Sequence, residues 1–518
     1  MSHRSRILRS ATAVLSGAVA TSLLLSGCGS SDSDDDSSGG SGSNGGTLVL
    51  GVTSDADTLF PWKATQFQAV NVMQTIYGTL TELDDGLSVV PGLAESWETS
   101  EDGLTLTFTL RKDVTFADGS TFGSEDVKSS LDLIADEETA AVAASSLASV
   151  ESVEAPDEHT VVLNLSSPDA SLPANLASIN MAILSSDDTE EELNTAPNGT
   201  GPFLFDSRVA NQSITLKKNP EYWGFPVALD GVEFQVIPDE SAIVSALQSG
   251  NVQLAVFDDP LVADTARGGN VTVDSVPQLS YHALQLNATH GDLADLNVRL
   301  AIQCAIDRQE VLDTAALGEG QVTGPITSPA FLSDPAERPC PERDLDKAAE
   351  YLAASGKTDV TISTIVSQGE YATSVNEAQN LQSQLAEAGI TLDLEVLESG
   401  AYVDRWVAGD FDAAVALNGG RPDPEGMYGR YFTSDGNLNA VAGYSSDELD
   451  DLFAQGRATD NVEERRDIYR QVSEELEDNA AWIWLFTSYS YTASSSSVQG
   501  FVPRADGSLV GLRSATMS

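Results

Sequence analysis

The chain has 518 residues, enough for a large buried core and more than one core usually supports, so two or more lobes are expected. Its 79 acidic residues against 26 basic ones give a formal net charge of -53. A surface of that sign repels phosphate, which argues against a nucleic-acid partner, and it argues equally against adsorption to anionic lipid headgroups.

Arg4, Arg6 and Arg9 precede an apolar stretch at residues 11–25. The stretch is too short to cross a hydrocarbon layer of about 30 Å, and its basic flank followed by small residues predicts a signal peptide over 1–27. Leu25-Ser26-Gly27-Cys28 resembles the lipobox of bacterial lipoproteins. That resemblance implies that Cys28 carries a diacylglycerol and anchors the chain to the extracytoplasmic face of the cell membrane. Residues 29–46 contain only Gly, Ser, Asp and Asn, which cannot pack a core. With Cys28 they read as a flexible leash over 28–46, with an r.m.s. reach of roughly 25 Å.

The folded part opens with the apolar run Thr47-Leu-Val-Leu-Gly-Val52, suited to a buried strand. Residues 66–80 carry Val70, Met73, Ile76 and Tyr77 at helical spacing. Residues 104–110 alternate apolar and polar, as a half-buried strand does, and Ser124 is placed to cap a helix reaching about Ile134. From Gly201 short strands alternate with helices: strands at 214–216, 232–237 and 254–257, and a helix at 239–249. A second series begins near Leu296, with helices at 345–355 and 372–388 and strands at 360–365, 392–396 and 411–417. Two such series imply two α/β lobes. Asn461 and Glu464 form a capping-box pattern ahead of the stripe Ile468, Val472 and Leu476. The last strand-like segment, Trp482-Ile-Trp-Leu-Phe486, leads into a Ser-rich region.

Several segments in order resemble the peptide- and nickel-type (family 5) solute-binding proteins of bacterial ABC importers. They are Pro91-Gly-Leu-Ala-Glu-Ser-Trp97, Thr107-Phe-Thr-Leu-Arg-Lys-Asp-Val114, Phe116-Ala-Asp-Gly119, Ser124-Glu-Asp-Val127, Gly199-Thr-Gly-Pro202, Asn219-Pro-Glu-Tyr-Trp223, Val298-Arg-Leu-Ala-Ile-Gln-Cys-Ala-Ile-Asp-Arg308, Gly409-Asp-Phe-Asp412 and Asp423-Pro424. The resemblance implies an α/β, two-lobed, periplasmic-binding-protein-like (type II) fold with an extra subdomain inserted in the first lobe. Lobe I is then expected at 47–80, 201–285 and 485–518, the insert at 81–200 and lobe II at 286–484. It further implies a protein that encloses a peptide or peptide-like solute between its lobes and delivers it to ABC permease subunits. A monomer is expected, and no cofactor and no metal site is read from the residues.

In open α/β sheets ligands lie at strand carboxyl ends, and two loops meet that condition. The loop 55–62 offers Asp55, Thr58 and Trp62, with an acidic turn packed over aromatic residues as its alternative reading. The loop 418–426 offers Asn418, Arg421 and Asp423; Arg421 brings a cationic fork suited to a carboxylate or other anion, or pairs with Asp423 or Glu425. The family often places an acid where Gly420 stands, available to a peptide ammonium. Tyr281 and Tyr489, in the expected crossovers between lobes, either line the cleft or pack the hinge.

Beyond Cys28 the chain has Cys304 and Cys340, which either bridge in an oxidising exterior or remain as two thiols. An exported hydrolase is the main rival, and a ligand sensor or chaperone on the same fold is another. Against the hydrolase, the chain has no HExxH, GxSxG or CxxC pattern, and after the leader its histidines are His159, His282 and His290. Gly318-Glu-Gly-Gln-Val-Thr323 fails as a dinucleotide loop because Thr323 replaces the third Gly. The acids are spread along the chain, which suits a solvated surface better than a focused attraction for a cationic substrate.

Overall fold

The strand Thr47–Val52 is buried on both faces, Leu48 and Leu50 toward one core and Val49 toward another. It lies between two parallel neighbours, Gly231–Val236 and Leu254–Phe257, and a strand covered on both sides has to be continuously apolar. The computed structural model describes residues 45–518 other than Pro335 and Glu370. The expectations for the signal peptide, Cys28 and most of the linker fall on 1–44, outside the described residues.

Among the described residues the main sheet has twelve strands. One end runs Phe203–Val209, Ser213–Lys218, Gly231–Val236, Thr47–Val52 and Leu254–Phe257; the other runs Ile390–Glu398, Val360–Gln368, Ala413–Asn418 and Tyr281–Leu286. The long strand Trp482–Ser495 joins them. Its first part pairs antiparallel with Tyr281–Leu286, and its last part with Leu254–Phe257 and Val271–Pro277. The Ser-rich segment expected to follow a short strand is therefore part of that strand.

The three central strands of the second end divide their side chains between two cores. Leu284, Leu286, Ile483, Leu485, Ala413 and Val415 face one, whereas Tyr281, Ala283, Trp482, Trp484 and Ala414 face the other. Trp482 and Trp484 are fully buried there. At about 25 cal/mol per Å² over roughly 150–250 Å², each ring is worth about 4–6 kcal/mol of transfer free energy.

A separate antiparallel sheet contains Ala94–Thr99, Thr105–Leu110, Thr160–Leu165 and Val150–Asp157. Phe108, Val161 and Leu163 share one core with Leu48 and Leu50 of the opening strand. Cys304 and Cys340 are bridged, with a Cα separation of 5.0 Å, and tie the segment ahead of the helix Leu345–Ser355 back to the helix Leu296–Ala305. Closing 36 residues is worth roughly 3 to 4 kcal/mol in the chain-entropy account.

Three local expectations are corrected. The helix read over 66–80 spans only Phe67–Met73, because the carbonyls of Thr75 and Ile76 accept from Phe203 and Gly201 instead of from the next turn. That approach needs a glycine beside it: a Cβ on Gly199 would lie 2.0 Å from the Ile76 oxygen. The cap before the helix Ser124–Ala135 is Gly123, whose N–H donates to Asp126, while the Ser124 hydroxyl bonds to Asp157 O. Asn461 caps its helix as expected, but Glu464 accepts from Thr459 rather than closing a capping box. Among the described residues no helix is long and apolar enough to cross a membrane.

Candidate functional site

The two ends of the sheet meet where 278–280 runs beside 487–488. Gln278 N–H donates to Ser488 O at 2.9 Å, and the Thr487 hydroxyl donates to Gln278 O at 2.6 Å. A cleft of about 400 Å³ opens at this crossing, within the range that holds small organic ligands. One wall carries Phe67, Asp258, Ser490 and the turn 505–507; the other carries Gly419, Gly420 and Pro422, with Gln278, Leu279 and Ser280 between them. A second hollow of about 70 Å³, bounded by Gln74, Glu82 and Arg504, has room only for a few waters.

The structure does not bring the first expected loop to this cleft. Asp55 binds Arg208 at 2.9 Å and accepts from Asn211 N–H, while the Thr58 hydroxyl donates to Asn194 at 2.8 Å. Trp62 is buried, donates its indole N–H to Ala182 O at 2.9 Å and meets Phe60 edge-on. The loop is packed against 180–194, the arrangement of its alternative reading, and Asp55, Thr58 and Trp62 do not line this cleft.

The second loop does border the cleft. Asn418 is buried and donates to the Tyr281 hydroxyl at 3.3 Å; Tyr281 itself is 1% exposed and packs on Tyr428, so both support the cleft floor from behind. Tyr489 lies opposite Pro277 in the sheet and packs near Tyr491, leaving its neighbour Ser490 to line the cleft. Asp423 is neither exposed nor paired with Arg421. It makes a two-pronged ion pair with Arg465, at 2.7 and 3.0 Å, and accepts the Glu425 N–H. Burial opposes the Arg465 charge, but the Asp423 carboxylate and Tyr469 outweigh it and raise its pKa.

Arg421, between cleft-lining Gly420 and Pro422, is exposed, and its stem passes over Gly426. Among the described residues no carboxylate pairs with it. Desolvation and the nearby Arg430 charge lower its pKa, with Tyr431 acting the other way. Arg430 also lacks an ion pair among the described residues; its guanidinium lies 4.7 Å from the Tyr431 ring centre and its Nε is buried without a partner. Two adjacent unneutralised arginines are conspicuous in so acidic a chain.

Sequence reasoning missed Asp258, Gln278 and Ser280. Asp258 follows the strand Leu254–Phe257, so the carboxyl-end rule applied to residues 52 and 417 would have found it at 257. Among the described residues no group of three or more His, Cys, Asp or Glu is arranged to hold a metal ion.

The family model "Bacterial extracellular solute-binding proteins, family 5 Middle" matches residues 88–439. A probable di/tripeptide-binding protein 5 of Pseudomonas aeruginosa is 30% identical over 82% of this chain and 86% of its own length. The structure of HbpA2 from Haemophilus parasuis superposes with a TM-score of 0.83 at 25% identity, covering 91% of this chain and 100% of that one. DppA from Helicobacter pylori, solved in complex with the peptide STSA, superposes with a TM-score of 0.70 at 27% identity over 91% of this chain and 98% of its own. The chain belongs to the bacterial extracellular solute-binding proteins of family 5. Its fold is the two-lobed type II architecture of that family.

The loop geometry makes Asp423 a structural residue. Asp423→Ala leaves Arg465 buried without its partner and is expected to cost about 3–5 kcal/mol, read as a lowered melting temperature, whereas Arg421→Ala leaves melting unchanged. Equal melting of wild type and Asp423→Ala would return Asp423 to the ligand.

Glu425 titrates close by. Burial, with repulsion from Asp423 and Asp169, pushes its carboxyl up to about 7 against the pull of Arg457 at 2.9 Å. The Tyr469 hydroxyl stands 3.5 Å from it, with Arg465 beyond, and Ala170 N–H donates to Arg457 O at 2.9 Å. Because the folded pKa exceeds the ordinary 4.5, the contribution of this group to stability is full below about pH 4.5 and lost as pH rises through about 7. The loss is on the order of 3 kcal/mol. Thermal melts between about pH 5 and pH 8 should therefore fall less steeply for Glu425→Gln than for wild type; parallel slopes would assign the titration elsewhere.

Proposed function

We propose that this protein is an extracytoplasmic receptor, tethered through lipid on Cys28, that captures a small peptide or peptide-like solute between two lobes and passes it to the permease of an ABC importer. Peptide capture is supported by the names of its relatives, a di/tripeptide-binding protein and a DppA in complex with a peptide. The observation that carries the reading is the cleft at the paired crossing, bordered by a loop whose Arg421, with Arg430 beside it, has no carboxylate partner among the described residues. We assign lobe I to 47–80, 201–277 and 489–518, the insert to 81–200 and lobe II to 281–486, the expected boundaries at 285 and 484 moving because Tyr281–Leu286, Leu485 and Phe486 pack with Ala413–Asn418. Closure is then a rotation about 278–280 and 487–488, since two adjacent connections restrict relative motion largely to a hinge.

Arg421 receives the anionic group of the solute. A charge-assisted bond there contributes about 1.5 to 3 kcal/mol, so Arg421→Ala weakens binding by roughly ten- to a hundredfold. The measurement is calorimetric titration with a solute recovered from the gently purified protein and identified by native mass spectrometry. Undiminished affinity in the variant would move the anion site elsewhere.

The tether is tested separately. Cys28→Ala should shift the protein from the membrane pellet to the soluble fraction, because an acidic surface and a polar leash supply no other hold on lipid. Retention in the pellet would refute the lipid anchor.

A further inference from the structure

Away from the crossing, the insert touches lobe II directly. Ala170, in the loop after the strand Thr160–Leu165, donates its N–H to Arg457 O at 2.9 Å, in the last turn of the helix Asp447–Ala458. Its neighbour Asp169 is held in place, Oδ2 accepting from the Ser149 hydroxyl at 2.7 Å and Oδ1 from the Ser171 hydroxyl at 2.6 Å. The insert shares a core with the opening strand, whereas Leu449 and Phe453 of the helix pack in a core of lobe II. The bond between 170 and 457 therefore joins two bodies that have separate cores.

Glu425 stands on the lobe II side of that contact, three residues beyond cleft-lining Pro422. The Arg457 guanidinium donates to its Oε1 at 2.9 Å. The helix Val462–Asp478 places the Tyr469 hydroxyl 3.5 Å from Oε2, with Arg465 behind it, but both oxygens of Asp423 engage Arg465. Asp423 on its own loop and Asp169 on the insert add negative charge, so Arg457 is the cation that answers Glu425. Contact with the insert buries Glu425 further and adds the charge of Asp169, and both favour the neutral acid. Withdrawal of the insert removes Asp169 and leaves Arg457, which favours the carboxylate.

We propose that Asp169 and Ala170 form a latch against Arg457 and Glu425, and that the latch closes with uptake of a proton from solvent onto Glu425. The proposal rests on the reading of the two lobes as closing on a solute and adds a proton to that closure. With the insert in contact, Glu425 holds its proton up to about pH 7, whereas the open form holds it only nearer the ordinary 4.5. The closed form therefore binds more protons between these values. It is favoured below that window and loses the advantage as pH rises through it.

The test places spin labels on the full-length chain at two exposed positions, through Glu101→Cys on the insert and Gln455→Cys on lobe II. Pulsed electron resonance reads their separation at about pH 5.5 and about pH 8.5, with and without short peptides from digested casein, and thermal melts read the fold. In the otherwise wild-type chain the ratio of closed to open populations should fall about tenfold from the lower pH to the higher, which corresponds to one unit of difference between the two forms. Glu425→Gln, which stays neutral, should hold that ratio constant, and Asp169→Asn should reduce its dependence on pH. A separation that answers to peptides and not to pH, or a Glu425→Gln protein that follows pH as steeply as wild type, overturns the proposal while leaving closure intact. If Glu425→Gln does not fold, Asp169→Asn decides: an undiminished dependence on pH overturns it. A separation that answers to neither pH nor peptides overturns closure itself, and this proposal with it.

Discussion

The site depends on three residues, 278–280, lying hydrogen-bonded against 487–488 where the two ends of the sheet meet. Every wall of the cleft is attached to that crossing. Gln278 holds Asp258 through its side chain and Ser488 through its backbone, Leu279 N–H donates to Ala505 O at 3.1 Å, and the Leu279 oxygen accepts from Thr327 and abuts Gly420. The adjoining segments are firmly packed, since Tyr281–Leu286 and the first residues of Trp482–Ser495 are buried among aromatic rings. The proposed closure would concentrate relative motion at 278–280, which lie between two strands and line the cleft, and at 487–488, where the strand Trp482–Ser495 passes from one set of partners to the other.

Charge is distributed around this crossing by the same economy of cations. With 26 basic residues against 79 acids, most arginines find a carboxylate or a row of carbonyls. Arg308 donates to Trp484 O at 2.8 Å and Arg338 to Thr323 O at 2.9 Å, with Glu477 as the acid beside Arg338. Burial, together with repulsion from Arg338, pulls Arg308 down to about 9 against the opposing charges of Glu477 and Asp307. These two arginines are consumed in satisfying backbone behind the crossing. Arg421 and Arg430 have no comparable work, which is the physical reason to look for their anion in a ligand.

The strands and their order of type were legible because both faces of the central strands are buried, so runs such as Leu48-Val-Leu50 and Trp482-Ile-Trp-Leu-Phe486 are apolar without interruption. What was not legible depended on contacts distant in sequence. The helix after Gln66 stops early because 201–203 takes its carbonyls, and nothing within 66–80 records that. The site divided in the same way. The loop 418–426 was found because its Gly and Pro content follows a strand, but the roles within it were exchanged, since Arg465, 42 residues further on, claims Asp423. Trp62 and Asp55 met every local criterion for a binding loop and were claimed instead by Ala182 and Arg208. Asp258 passed unnoticed because one acid among 79 carries no local signal until a fold places it across a cleft.

The pairing of Asp423 with Arg465 fixes the backbone that carries the exposed Arg421. Pro422 and Pro424 restrict the backbone on either side of Asp423, and the buried ion pair fixes the loop to the helix Val462–Asp478. The Glu425–Gly429 turn that follows is π-helical, and Arg421 lies over its Gly426, where a larger residue would crowd the arginine stem at 3.3 Å. Arg421 thus gains position from neighbours that neutralise none of its charge. The acid that the sequence suggested as a partner for Arg421 anchors the loop instead, and leaves that arginine without a carboxylate partner among the described residues.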